Sequence, residues 1–421
     1  MSIGTQPARR ATPAAGAASA LVSIAGSLAD RLRSVALELQ AFVASRLLII
    51  AAGIAGVLRL PSLTSPAAAR VAHHQLSSVG YLLGASVDRF DSAYFLAIAT
   101  QGYGRVSSDR LAFYPGYPLV IRVVGVVCGS PVLAGALTSA GAFLAALVML
   151  RRLTELELGR QAARATVLLL AFAPLSFFFT AIYSESLFLA LSVGSLLAAR
   201  TGRWRLACGL GAVAGITRIT GLALLPALAI MRIRERGGFD RGLGWLLALP
   251  GVFVGNMAVL AVAGHSPTGM FSAEGAWHRV MVGPVGGLVA AAVAAARGAV
   301  GLLHGAPAYR VGEGVPFTLP LENLVLMIVL VMALLALWGC RRRLAPEYLA
   351  YALAVMMVCL SSPVPGEPLG SFDRFALTIF PLWMVAGAWV ARRRLVPIAV
   401  LLGSLALVFY TSQFAAGIFV A

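Results

Sequence analysis

The sequence contains no lysine: all 33 of its basic residues are arginines, set against 16 acids. Charge of either sign is scarce, at 12% of residues, where a soluble globular chain carries about 25%. That scarcity excludes a single water-bounded globule for a chain of 421 residues. Four cysteines (Cys128, Cys208, Cys340 and Cys359) are scattered, mostly within apolar runs. They lack paired ligand spacing, which excludes a disulfide framework or zinc site and leaves buried free thiols. The weakly apolar run from Ala14 to Ala29 has no cleavage context and does not read as a signal peptide. On a soluble protein the formal charge of +17 would suggest nucleic acid. Here the arginines gather at the ends of apolar runs, so no nucleic-acid partner is expected. Their exclusive use suggests a GC-rich coding sequence and favours a bacterial plasma membrane.

What is abundant is apolar surface. Hydrophobic residues make up 60% of the chain and the mean hydropathy is +0.89. Lipid must be the solvent for much of that surface. In lipid every backbone polar group pairs internally, so only helices or a closed barrel remain. Long runs of Leu, Ala, Val and Gly are helical in type, unlike the short alternating strands of a barrel. The expectation is an all-α polytopic membrane protein. Residues 1–40 form a flexible or interfacial cytoplasmic N-terminus carrying Arg9, Arg10, Arg31 and Arg33. Residues 41–414 form one transmembrane domain with outside loops 60–130 and 264–320, and 415–421 a short C-terminal tail.

Apolar runs lie at 41–58, 113–128, 131–150, 161–180, 185–199, 205–217, 219–233, 243–263, 284–303, 321–339, 346–361, 374–390 and 396–414. Short basic loops stay cytoplasmic. The arginines at 151–152, 200–205, 232–241, 341–343 and 392–394 therefore belong inside. This holds if 113–128, broken by Pro115 and Pro118, and 284–303, which carries Arg297, lie in the outer interface instead of crossing. About eleven spans then remain, with the N-terminus in and the C-terminus out. The uncommon polar residues converge on the outside, and that convergence points to a site there.

Asp88 and Asp91, three apart, share a face of a short amphipathic helix, with Tyr94, Phe95, Ile98 and Tyr103 lying on the membrane. A carboxylate held there beside apolar side chains is suited to accept a proton from a hydroxyl; the plain alternative is a solvated loop acid. Phe113-Tyr114-Pro115-Gly116-Tyr117-Pro118 reads as a rigid aromatic anchor at the headgroups. Tyr183 is a belt aromatic or a site residue, and Glu185 a helix-dipole partner or a site acid. Arg218, between two apolar runs, faces a cavity or an anion, or else snorkels. Trp277, His278 and Arg279 are equally consistent with headgroup contact. Arg374 either pairs with Asp373 or presents a guanidinium to a lipid phosphate. His73 and His74 are adjacent and point in different directions on any helix or strand. No histidine pair has metal-ligand spacing.

At these motifs the chain resembles a known family. Arg89-Phe90-Asp91-Ser92 with Tyr94, Ile98-Ala99 and Gly102-Tyr103 is similar to the Arg-Trp-Asp-Ser signature of the PIG-V-like mannosyltransferases, which belong to the GT-C glycosyltransferases. Phe113-Tyr114-Pro115…Tyr117-Pro118, Tyr183-Ser184-Glu185-Ser186-Leu187-Phe188, Thr217-Arg218, Phe271…Trp277-His278-Arg279 and Arg374…Phe380-Pro381-Leu382 follow in the family's order. The resemblance covers roughly residues 45–390. It departs at Phe90, where Trp is usual, and at Gly116, where Leu is common.

The resemblance implies a GT-C-like bundle and an active site facing outside. It implies Asp91 as the catalytic acid-base position and a polyprenyl-phosphate hexose, most readily mannose, as donor. This agrees with the absence of a glycine-rich nucleotide loop or Asp-x-Asp cluster on the cytoplasmic side. Transfer to an acceptor hydroxyl would be inverting. Substrate-binding roles are expected for Asp88, Arg89, Tyr94, Tyr183, Glu185, Arg218, Trp277, His278, Arg279 and Arg374. The acceptor is open among a glycolipid, a glycan and a protein, and membrane lipids are expected partners. No cofactor is implied; a divalent ion bridging Asp88 and Asp91 stays an open alternative. The rival readings are a transporter or lipid flippase, which would show inverted repeats and broken midplane helices, and a lipid-linked sugar ligase of similar architecture.

Overall fold

The computed structural model describes residues 35–59, 84, 86–104, 108–308 and 317–420. The N-terminal arginines, the run 14–29 and the pair His73–His74 lie outside the described residues. Among those described there is no strand, only an isolated bridge between Val364 and Glu367. The chain enters as α1 (Ala36–Arg59), then α2 (Ser92–Gln101), α3 (Gly116–Cys128), α4 (Pro131–Leu158), α5 (Arg160–Ala171), α6 (Glu185–Arg200), α7 (Trp204–Thr217) and α8 (Leu224–Arg236). It continues as α9 (Ala248–Val262), α10 (Gly269–Ala273), α11 (Gly283–Leu303), α12 (Leu319–Arg343), α13 (Pro346–Ser361), α14 (Phe372–Ala376), α15 (Phe380–Arg392) and α16 (Val396–Ala415).

Among the described residues six helical stretches are long and apolar enough to cross a membrane: Ala36–Leu58, Pro131–Leu158, Arg241–Val262, Gly283–Leu303, Leu319–Arg343 and Val396–Ala415. The protein is an integral membrane protein. Several expected spans are shorter than the runs that suggested them. The run 161–180 divides into α5 and a buried 3-10 turn, Ser176–Phe179, with Pro174 between them. A proline offers no N–H to continue the ladder. The run 374–390 divides between α14 and α15, and Pro381 starts the second helix.

The break after α5 is held by a residue that sequence patterning did not single out. Arg46, buried in the middle of α1, donates to the carbonyls of Ala171 (3.3 Å) and Ser176 (3.2 Å). It also donates to the hydroxyls of Ser176 (2.6 Å) and Thr180 (2.9 Å), with its guanidinium 4.6 Å from the Phe143 ring centroid. Broken backbone inside a membrane protein must find partners there, and Arg46 supplies them.

The helices share one polarity. α6 starts at Glu185 and ends at Arg200, and α7 returns from Trp204 to Thr217. Glu185 and Arg218 thus sit at one end, and the arginine-rich turn at the other. α12 and α13 are joined through Arg341–Arg343 at that same basic end, so Leu319 and Ser361 both point toward the site. The basic end is tied by ion pairs: Arg151–Glu38 (3.0 Å), Arg200–Glu157 (2.7 Å) and Arg234–Glu347 (2.6 Å).

α11 meets the site-facing ends of both those helices. The N–H of Val282 donates to the carbonyl of Ser361 at the end of α13. A Cβ on Gly287 would lie 1.8 Å from the Leu360 carbonyl oxygen, and one on Gly298 would lie 2.4 Å from that of Pro320 in the first turn of α12. Both ends of α11 therefore lie on the site side, although its length and composition would suffice to cross.

Two sequence expectations are corrected. Phe95, Ile98 and Tyr103 of the α2 region are buried and do not lie on the membrane. Phe95 packs edge-on against Phe113 and Tyr117, while Ile98 and Tyr103 join Leu260 and Met270. Tyr114 and Tyr117 are likewise buried and not headgroup anchors. Tyr117 donates to the Gly135 carbonyl (3.0 Å) and bonds the Ser139 hydroxyl (2.7 Å). α2 is covered on more than one face, so its apolar positions find protein where the sequence suggested lipid.

Candidate active site

Asp91 sits at the start of α2, and three features fix it. Phe90 before it has φ 51°, a left-handed backbone that costs a non-glycine residue about 1–2 kcal/mol. Its ring is wedged between Phe414 and Phe419, 5.5 Å from each. The Tyr183 hydroxyl accepts from the Asp91 N–H and donates to the Arg89 carbonyl, both at 3.2 Å. The Ile182 N–H donates to the Val87 carbonyl (2.8 Å). The two motifs, 92 residues apart at Asp91 and Tyr183, are thus locked together.

From Asp91 a chain of ion pairs runs inward. Arg374 Nη1 donates to Asp91 Oδ2 at 2.8 Å, and its Nε donates to Glu185 Oε1 at 2.6 Å. Arg218 Nη1 donates to the same Glu185 oxygen at 2.7 Å and to the Ser184 hydroxyl at 3.1 Å. Side-chain exposure grades along the chain: Glu185 0%, Arg374 9%, Arg218 16% and Asp91 19%. Two carboxylates and two guanidiniums balance, which makes a buried cluster of this size tolerable. Glu185 Oε2 is buried without a partner.

Aromatic rings line the cluster. Arg374 lies 4.6 Å from the Tyr183 centroid and 5.0 Å from that of Phe178. Phe375 is approached by three arginines: Arg218 at 5.0 Å, and Arg279 and Arg374 at 5.9 Å each. On the other side of Asp91, Tyr94 stacks on Phe113 (4.6 Å), and Trp277 sits edge-on to both (6.0 and 5.7 Å).

The structure thus brings together Asp91, Tyr183, Glu185, Arg218 and Arg374 in one bonded network. Arg279 reaches its edge through Phe375, and Tyr94 and Trp277 build an aromatic wall beside it. Among the described residues Arg374 does not use Asp373 as its ion-pair partner; Asp373 accepts the Arg374 backbone N–H (2.8 Å). Three expected residues go elsewhere. Asp88 accepts the Ser92 hydroxyl (2.7 Å). Arg89 donates twice to the Ala415 carbonyl (3.1 and 3.0 Å), where a cation complements the C-terminal end of α16. His278 is exposed, in a left-handed backbone of φ 56°. Among the described residues no three His, Cys, Asp or Glu side chains are grouped to hold a metal ion. Sequence reasoning missed Phe375, Phe178 and Ser184 as site residues; adjacency to Arg374 and Glu185 was the only available signal for two of them.

Nearby carboxyls are perturbed. Burial pushes the Asp373 carboxyl up to about 7, helped by Glu367. Burial also raises Glu274, against the opposing pull of Arg279 and Arg218. The Tyr94 phenol is raised by burial and by Asp109.

Residues 31–235 match the model of a family described as mannosyltransferase (PIG-V). That stretch, just under half of the chain, is similar to the PIG-V mannosyltransferases. It carries Asp91, Tyr183, Glu185 and Arg218, and the chain is a membrane glycosyltransferase. Arg279 and Arg374 lie beyond the matched stretch and join the site by geometry alone. No curated protein matches the chain. Among solved structures it is similar to ArnT from Cupriavidus metallidurans bound to undecaprenyl phosphate, at 14% identity and TM-score 0.46, over 84% of this chain and 77% of that one. It is also similar to the oligosaccharyltransferase of Archaeoglobus fulgidus in complex with zinc and sulfate, at 16% identity and TM-score 0.40, over 79% and 49%.

Proposed function

We propose that the enzyme transfers a hexose, most readily mannose, from a polyprenyl-phosphate sugar to an acceptor hydroxyl on the outer face of a bacterial plasma membrane, with inversion. The observation that carries this reading is the 2.8 Å contact between Asp91 and Arg374 within a network ending at Arg218. Asp91 Oδ1, the oxygen turned away from Arg374, takes the proton of the acceptor hydroxyl. The acceptor oxygen bonds the anomeric carbon as the carbon–oxygen bond to phosphate breaks, and the lipid monophosphate leaves with that electron pair.

Proton uptake by Asp91 changes the charge of the four-group network from zero to +1. That gain arrives as negative charge develops on the leaving phosphate, where pre-placed cations lower the barrier most. Arg218 is the better phosphate ligand of the pair. It is more exposed than Arg374, and only its Nη1 is hydrogen-bonded among the described residues. Arg374 is held between Glu185 and Asp91 and acts through Asp91. Arg279 is a further cation at the edge, while Tyr94, Phe113 and Trp277 offer faces on which a sugar ring can stack.

The test uses purified protein in nanodiscs with radiolabelled polyprenyl-phosphate mannose and lipids of the native host. Label should move into a new product with wild type and fall about 10²–10⁴-fold with Asp91→Asn, with folding intact. Retained turnover in that variant would sink the base assignment. Failure of wild type with mannose and other hexose donors across an acceptor panel would sink the donor class.

A further inference from the structure

The end opposite the active site carries a cavity. It measures about 400 Å³ and is framed by Arg203, Arg205, Arg232, Arg236, Trp204 and Trp245, between the α6–α7 turn and the segment following α8. We propose that this cavity binds the headgroup of an anionic phospholipid from the leaflet at the basic end, independently of the transfer chemistry.

Pairing is the first reason. At this end Arg151, Arg160, Arg200 and Arg234 each hold a carboxylate within 3.0 Å, and Arg232 pairs with Asp240. Arg203, Arg205 and Arg236 hold no carboxylate among the described residues. Arg341–Arg343 and Arg392–Arg394 also hold no carboxylate among the described residues, but they do not line this cavity. Three unpaired guanidiniums converging on a concave site are suited to phosphate oxygens.

Ring placement is the second reason. Arg232 lies 4.8 Å from the Trp204 centroid and Arg205 lies 5.3 Å from that of Trp245. These contacts orient the guanidiniums, and the Trp204 indole is fixed by its bond to Glu235 (2.7 Å). Tryptophans of this kind mark the depth of the headgroups. Leu206, Trp245 and Leu247 are exposed immediately beside the cavity, so an apolar surface adjoins the cationic one. A soluble phosphate or nucleotide has no use for that surface, whereas a phospholipid lays its acyl chains along it. Basic pockets between helices on the cytoplasmic side bind anionic headgroups by this combination.

The test is a titration of the purified full-length protein in detergent with phosphatidylglycerol, phosphatidylcholine or inorganic phosphate. Thermal midpoint is followed, and native mass spectrometry counts retained lipids. Phosphatidylglycerol should raise the midpoint and leave one retained adduct; the other two probes should do neither. Combined Arg203→Gln, Arg205→Gln and Arg236→Gln should weaken this binding about a hundred-fold, near five-fold per charge removed. Combined Arg341→Gln, Arg342→Gln and Arg343→Gln should leave it unchanged. Equal losses in the two triple variants, undiminished binding in the first, or a full response to inorganic phosphate would each overturn the proposal. Should the first triple variant misfold, Arg236→Gln alone carries the test through its expected five-fold loss.

Discussion

The two arginines of the network invite different outcomes when removed. Arg374 is buried between two carboxylates, so Arg374→Gln strands Asp91, leaves the fully buried Glu185 to Arg218 alone and should cost about 3–5 kcal/mol of stability, read as a large fall in thermal midpoint. Arg218→Gln leaves Glu185 still paired to Arg374 and removes the donors proposed to hold the phosphate. It should raise the KM for donor at least ten-fold, equivalent to about 1.4 kcal/mol, with little change in midpoint. The reverse pattern would exchange their roles. Asp373 supplies a pH dependence. Its native carboxyl keeps its proton up to about 7, whereas an unfolded aspartate releases it near 4. The native form therefore binds more protons across that interval, and stability from this group falls as pH rises from about 4 to about 7. Midpoints measured across that range should show the decline in wild type and a flatter profile in Asp373→Asn; identical profiles would remove Asp373 as the cause. Much of this site was legible as residue types, since acids and arginines are conspicuous in an apolar chain. Their partners were not legible: nothing in the spacing of Arg374 and Glu185, 189 positions apart, signals a contact, and neighbouring Asp373 was the simpler guess.

Among the helices, connections that look like surface loops are the parts that hold the site. The turn from Phe172 to Ser184 is buried at nearly every position, and Arg46 satisfies its backbone from α1. Arg46→Met removes four hydrogen bonds and leaves carbonyls bare at about 1–3 kcal/mol each. Because Tyr183 and Glu185 follow directly, transfer should decline together with thermal stability, and a variant with wild-type midpoint and turnover would dismiss the role assigned to Arg46. Hydropathy shows Arg46 only as a blemish in an apolar run, so its partners 125–134 positions away could not be foreseen. Gly116 also gains a reason: a Cβ there would lie 2.6 Å from the Thr217 hydroxyl and 2.8 Å from the Ile216 carbonyl oxygen. α3 thus abuts the turn that presents Arg218, and the leucine common in the family would not fit this packing. Periodicity located α2 and α3 well but misjudged their surroundings, because an apolar face looks the same whether it meets lipid or protein.

For the molecule as a whole, helical class and membrane residence followed from composition, since lipid leaves the backbone few choices. The number of crossings did not follow as readily: α11 has the length and apolarity of a span yet begins and ends beside the site-facing ends of α13 and α12. What the fold does establish is a separation of two ends, with the ion-pair network at one and the arginine-rich turns at the other. The positive-inside rule assigns the second to the cytoplasm, and that assignment can be measured. With the four native cysteines replaced by alanine, a cysteine at Ser266, exposed on the site side, should react with an impermeant maleimide in intact cells. A cysteine at Thr201, exposed in the α6–α7 turn, should react only after permeabilisation. The reverse labelling would place Asp91 on the cytoplasmic side, where nucleotide sugars are available. It would remove the main reason for a lipid-phosphate donor while leaving the network and its chemistry intact.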